Sequence, residues 1–125
     1  MTTTELIKNL GFKVFNQGQE KDIENFYIGD LLSWVMGRAT ENNCWLTVMN
    51  NSNVCAVAKL TECACILLCE GVVPDANLSE RAKKEGICLL GSDLPLYETA
   101  KKITEYIDAR YNGFARTQRF ERMRR

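Results

Sequence analysis

Ten residues in four short polar stretches are where this sequence could meet a ligand: Gly29-Asp30, Asn50-Asn51-Ser52-Asn53, Glu70, and Gly91-Ser92-Asp93. Each stretch follows a segment that reads as a strand, so in an open parallel sheet all four gather beyond the carboxyl ends of the strands, where ligands sit. Two properties suit that use: helix N-termini would point there, and glycines permit close approach. Asp30, Glu70 and Asp93 work against an anion such as phosphate unless a cation, or Lys or Arg from a partner, intervenes. A neutral or cationic group, such as a nucleoside portion, fits the edge better. The competing use of Asp30, of Ser52 or Asn53, and of Asp93 is helix capping, worth about 1 kcal/mol each.

The groups for bond-making are missing. The chain contains no His, which removes Ser-His and Cys-His nucleophile pairs. It has no Gly-x-x-x-x-Gly-Lys-Ser/Thr phosphate cradle and no glycine-rich loop with His-Arg-Asp, so phosphoryl transfer lacks its parts. No enzymatic activity and no cofactor are expected. Six cysteines, Cys44, Cys55, Cys63, Cys65, Cys69 and Cys88, sit mostly inside apolar runs such as Ile66-Leu67-Leu68 and Ile87-Cys88-Leu89. Free cysteine in such places behaves as a small hydrophobe. Cys63-Ala64-Cys65 and Cys69 lack a second pair at zinc spacing. Reduced, structural thiols are expected, with no metal.

The element that positions the first stretch is Phe26 to Met36, a short strand turning into a helix at Gly29-Asp30. Tyr27 and Ile28 favour strand, Asp30 suits a helix cap, and Leu31, Leu32, Val35, Met36 and Ala39 share one helical arc with Trp34 at its rim. Ahead of it, Thr4 to Leu10 reads as a helix stopped by Gly11, Phe12 to Phe15 as a strand, and Asn16 to Gln19 as a turn. Behind it come a strand at Cys44 to Met49, a helix at Val54 to Leu60, and an unbroken apolar run at Ala64 to Cys69. That run has the pattern of a strand covered on both faces. A helix from Asp75 to Lys84 ends at Gly86, and Ile87 to Leu90 is another buried strand. The longest helix, about Leu94 to Tyr111, carries the stripe Leu96, Ala100, Ile103, Ile107. Alternating strands and helices predict an α/β fold: a single three-layer domain with a mainly parallel central sheet, Rossmann-like in the loose sense.

At 125 residues the chain reads as one domain, and its 46% apolar and 26% charged content is that of a globular protein. No apolar run approaches the length of a membrane span, and the N-terminus lacks the pattern of a signal peptide. A cytoplasmic location without membrane contact is expected. Formal charge is zero but uneven: residues 114–125 carry Arg116, Arg119, Arg122, Arg124 and Arg125 against Glu121, a balance of +4, which leaves −4 on the body. An acidic body argues against general affinity for nucleic acid on electrostatic grounds. Gly113 should end the domain, dividing residues 1–112 from an arginine-rich tail at 113–125. In the tail Arg116, Arg119 and Arg122 recur every three residues with Phe114 and Phe120 interleaved. If helical, this is a basic amphipathic arm for RNA, an acidic partner or a membrane surface; otherwise it is disordered or packs on the acidic body. Trp34, Trp45, Tyr97, Tyr106 and Tyr111 are the aromatic candidates for self-association.

Taken in order, Tyr27-Ile28-Gly29-Asp30-Leu31-Leu32-Ser33 with Val35-Met36, then Asn53-Val54 with Ala56-Val57-Ala58, Glu70-Gly71, Pro74-Asp75, Glu85-Gly86-Ile87, and Ser92-Asp93-Leu94 with Tyr97-Glu98, resemble the DRTGG domain family over roughly residues 5–110. The resemblance implies a fold similar to the N-terminal domain of HPr kinase/phosphorylase. It implies a regulatory or dimerising module of the sort found between CBS domains of regulated pyrophosphatases. It also implies a protein partner, metabolic or hydrogenase-associated, since stand-alone members occur beside iron-only hydrogenase genes. The chain departs from the family where its name arises: Glu24-Asn25-Phe26 stand in place of Thr-Gly-Gly, and Lys21 in place of the arginine. A non-catalytic regulatory or interaction domain, homodimeric and sensing a small ligand such as a nucleotide, is therefore expected. Two alternatives are an enzyme of carbohydrate or phosphotransfer metabolism, and a binder of nucleic acid or an acidic partner through the tail.

Overall fold

The structure is a computed structural model that describes the backbone of residues 1–123 and the side chains of residues 1–111. Ten elements follow one another: α1 (Thr3–Leu10), β1 (Lys13–Asn16), β2 (Asn25–Ile28), α2 (Leu32–Arg38), β3 (Asn43–Thr47), α3 (Ser52–Leu60), β4 (Cys65–Leu68), α4 (Ala76–Glu85), β5 (Cys88–Gly91) and α5 (Leu96–Met123). The strands form one sheet in the order β1-β5-β4-β3-β2. β2, β3, β4 and β5 pair in parallel, and β1 lies antiparallel against β5 with an irregularity between Val14 and Asn16. The expected mainly parallel α/β sheet is what forms.

The strands alternate at period two between the faces of the sheet. Cys44, Leu46, Cys65, Leu67, Cys88 and Leu90 point to one face, where Leu6 and Leu10 of α1 and Ile103 and Ile107 of α5 cover them. Trp45, Ile66, Leu68 and Leu89 point to the other, under Val35 of α2, Val54 and Val57 of α3, and Leu78 and Ala82 of α4. Every residue of β4 is buried, as its unbroken apolar run requires. The stripe Leu96, Ala100, Ile103, Ile107 of α5 faces the first of these cores.

All six cysteines are buried and free of disulfides. Cys44, Cys65 and Cys88 stand opposite one another on β3, β4 and β5. The hydrogen bond with Cys44 and the dry surroundings hold the Cys65 thiol well above its ordinary range, against the opposing bond with Cys88. The bond with Cys65 and burial do the same for the Cys88 thiol. Protonated thiols of this kind act as packing groups.

Two elements differ from the sequence expectation. On α2 only Val35 is fully buried, while Leu31 and Met36 are exposed. The helix starts at Leu32, which leaves Leu31 in the cap position off the helical arc, and it covers β2, an edge strand with one neighbour. The last helix begins after Pro95, whose carbonyl accepts from Thr99 N–H at 2.9 Å, and its backbone continues through Gly113 to Met123. A single glycine costs a helix about 1 kcal/mol and need not end it. The side chains of Arg116, Arg119 and Arg122 lie outside the described ones.

α1 and α5 are fastened by a polar clasp that no local pattern announced. Tyr106 donates its hydroxyl hydrogen to Glu5 Oε2 at 2.6 Å, Tyr111 donates to the same carboxylate at 2.7 Å, and the Arg110 guanidinium lies 3.8 Å away. The Tyr106 hydrogen bond, helped by that of Tyr111, holds Glu5 below its ordinary value of 4.5 against the effect of burial. A carboxylate with a depressed folded pKa adds stability that is present above its unfolded pKa and lost as pH falls through the folded one. Glu5→Gln should therefore be less stable than the parent at neutral pH, with the difference closing below about pH 4.5. Urea midpoints of both proteins measured across that range would show it; a gap that stays constant into acid would contradict it.

Candidate functional site

At the carboxyl ends of the parallel strands, four loops converge in the order the sheet dictates. Gly29-Asp30 follows β2, Val48 to Asn51 follows β3, Cys69 to Asp75 follows β4, and Ser92 to Pro95 follows β5. The structure brings all ten predicted residues to this one rim. It also shows what each already does there.

Gly29 closes the corner after β2: its N–H donates to Leu46 O at 3.2 Å and its carbonyl accepts from the Trp45 indole N–H at 2.8 Å. Asp30 does not cap α2. Its carboxylate reaches across to β3, where Oδ1 accepts from the Thr47 hydroxyl at 2.7 Å and from Val48 N–H at 2.9 Å. Leu31 holds the N-cap position and makes no side-chain cap bond. A charge-assisted pair of bonds to a buried threonine and a backbone amide outcompetes one exposed cap. The sequence could not reveal this choice, since Thr47 lies seventeen positions away.

Asn51, not Ser52 or Asn53, caps α3, accepting from Asn53 N–H at 3.0 Å. Ser52 is the first helical residue and is half-buried; Asn53 is exposed. Asn50 ties two loops together, donating from Nδ2 to Val73 O at 2.9 Å and accepting Asp75 N–H at 3.0 Å on its carbonyl. Asp75, expected as the first residue inside its helix, instead caps α4 through Leu78 N–H at 2.7 Å.

Glu70 and Gly71 both have left-handed backbone, φ 64 and 69, which bends the chain sharply after β4. Glu70 N–H donates to Leu94 O at 2.8 Å and Gly71 N–H to Ser92 O at 2.9 Å. Gly91 is buried against the Phe15 ring: a Cβ there would sit 2.5 Å from a ring carbon. Ser92 is buried, its hydroxyl 2.9 Å from that of Thr99 and accepting from Leu94 N–H at 3.2 Å. Asp93 is exposed and pairs with Lys13 at 3.2 Å instead of capping α5.

The rim is thus stitched together by its own polar groups. Asp30, Asn50, Asp75 and Ser92 are bonded across to neighbouring loops, Asn51 caps its own helix, and the exposed carboxylates Glu70 and Asp93 remain on the surface. Its outward side chains include apolar ones: Leu31, Val73, Leu94 and Tyr97.

Among the aromatic candidates, Trp45 is fully buried, and Tyr106 and Tyr111 belong to the Glu5 clasp. Trp34 and Tyr97 are exposed, the former with the Arg38 guanidinium 3.8 Å above its ring. Glu24-Asn25-Phe26 lie at the opposite edge of the sheet, where β2 begins. There Asn25 Oδ1 accepts from Phe26 N–H at 2.9 Å and Glu24 N–H donates to Asn42 O at 3.0 Å. Among the described residues no helix is long and apolar enough to cross a membrane.

The model of the DRTGG domain family matches residues 5–106. Among solved structures the chain is similar to the CBS and DRTGG domains of the regulatory region of Clostridium perfringens pyrophosphatase, complexed with its activator, diadenosine tetraphosphate. The TM-score is 0.62 at 12% identity, over 80% of this chain and 44% of that one. The chain therefore spans less than half of that neighbour, and the likeness is one of fold. No curated protein matches it.

Proposed function

Because the chain belongs to the DRTGG domain family, we propose that it is a regulatory interaction domain without catalysis of its own, working as a homodimer that alters the state of a partner protein. The observation that carries this reading is the rim. Asp30, Asn50 and Ser92 are committed to holding its loops in place, while Leu31, Val73, Leu94 and Tyr97 face outward. Such a surface suits contact with another macromolecule better than it suits bond-making, because a catalytic group must be free to engage substrate. The buried, protonated thiols fit a reducing compartment, and the cytoplasm is the proposed location.

A small ligand remains part of the proposal. The pyrophosphatase neighbour was solved with a dinucleotide activator, and Ser52, Asn53, Glu70 and Asp93 are the rim positions open to a nucleoside-like group. Thermal unfolding of the full chain with nucleosides, nucleotides and dinucleotide polyphosphates tests this part. A ligand at one hundred times its dissociation constant adds about 2.7 kcal/mol, and a set of flat curves would remove ligand sensing. Sedimentation equilibrium tests the homodimer. Steady release or transfer of phosphate by the pure protein would overturn the non-catalytic assignment.

A further inference from the structure

The two ends of α5 are chemically complementary and cannot meet within one molecule. The helix starts at the rim, four residues after β5. By Tyr111 it has reached the other edge of the sheet, where Tyr111 is bonded to Glu5. That edge is fixed by the start of α1, which joins Lys21 and Ile23 ahead of β2. From there the helical backbone continues to Met123, which at 1.5 Å per residue carries the chain about 18 Å further from the rim.

The rim carries exposed apolar side chains and exposed carboxylates on the same loops. Leu31 is 56% exposed, Val73 58%, Leu94 38% and Tyr97 71%, and the loops that carry them are joined in series by the Asp30–Val48, Asn50–Val73 and Glu70–Leu94 bonds. The same loops and the first turn of α5 carry exposed Asp30, Glu70, Asp75, Asp93 and Glu98, with Lys13 paired to Asp93. Residues 112–125 have the opposite character: Phe114 and Phe120 among Arg116, Arg119, Arg122, Arg124 and Arg125.

We propose that the rim of one copy receives the basic, phenylalanine-bearing residues 112–125 of a second copy, and that the exchange is reciprocal. A continuous helix cannot turn back to its own rim, so the contact is made in trans. Two copies with their α5 helices antiparallel satisfy both contacts at once and close the pair, as two-fold symmetry requires. Opposite charge sets the register, and the aromatic and aliphatic side chains supply the buried area. This rests on the homodimer proposed above and names its interface.

The test uses the full chain and sedimentation equilibrium, with circular dichroism to confirm an unchanged fold. Reversing the tail (Arg116→Glu, Arg119→Glu, Arg122→Glu) should raise the dimer dissociation constant at least about tenfold. Adding Glu70→Lys and Glu98→Lys to that variant should restore association to within about threefold of the parent. Both effects should shrink in high salt. A dimer indifferent to tail reversal, or one weakened but not rescued by the rim changes, overturns the tail exchange and leaves the homodimer standing. A parent chain that is monomeric throughout overturns both. Retention of RNA by the parent and not by the tail variant, with an unchanged dimer, would assign the tail to nucleic acid and also overturn the exchange.

Discussion

Trp45→Ala should destabilise the domain by about 3–5 kcal/mol, a large part of the 5–15 kcal/mol typical of a small domain. The indole is fully buried in the core beneath α2 and α3, so truncation removes its transfer energy and leaves a cavity that the surrounding strand cannot close. It also removes the donor that satisfies Gly29 O at 2.8 Å. An unpaired carbonyl at that corner adds its own desolvation penalty. Trp45→Phe separates the contributions, since it removes the donor while keeping most of the apolar volume. Urea unfolding should show both midpoints lowered, Trp45→Ala far more, with slopes unchanged. A loss of under about 1 kcal/mol for Trp45→Ala would mean that the ring is not a core group.

Gly18→Ala should cost about 2–4 kcal/mol. Gly18 has φ 59, and a Cβ there would lie 2.6 Å from Cys88 N, Gly86 O and Ile87 C. All three are backbone atoms, so no side chain can swing aside. The turn is pinned from both ends, by Gln19 N–H on Gly86 O at 3.0 Å and by Asn16 Nδ2 on Ala82 O and Ile87 O at 3.1 and 2.9 Å. Gly11→Ala is the control: Gly11 has φ 68 but nothing within 4 Å of the added carbon. It should show only the left-handed backbone penalty, about 1 kcal/mol. Equal thermal shifts in the two variants would show that the close approach at Gly18 is not a constraint.

The sequence made the layers legible because burial leaves a periodic mark. The unbroken apolar run Ala64 to Cys69 reads as a strand covered twice, and the strand Cys65–Leu68 forms within it, while the Leu96, Ala100, Ile103, Ile107 stripe reads as one face of a helix. Convergence of the loops at one rim followed from the alternation of strands and helices. What each rim residue does was not legible. Asp30 had a short-range use, a helix cap, and took a long-range one on Thr47 and Val48; Asp93 likewise turned to Lys13, some eighty residues earlier in the chain. Local pattern weighs a polar side chain against its neighbours in sequence, whereas hydrogen bonding is decided by neighbours in space. The Glu5–Tyr106–Tyr111 clasp escaped for the same reason, its partners being 101 and 106 positions apart. The outward apolar side chains of the rim were hidden because a leucine or valine beside a turn reads as core until the loop geometry is known.

The place of β1 at the far edge, beside β5, bears on synthesis. As the chain leaves the ribosome, β2, β3 and β4 can each find a neighbour soon after emerging. β1 has none until Cys88–Gly91 is out, nearly eighty residues later. Its half-exposed Val14 and Phe15 must wait unpaired through most of translation, and the Gly18 turn stays open with them. Completion of the domain is thus a late, non-local event. Ribosome-stalled chains ending just before and just after β5 should differ abruptly in their resistance to protease.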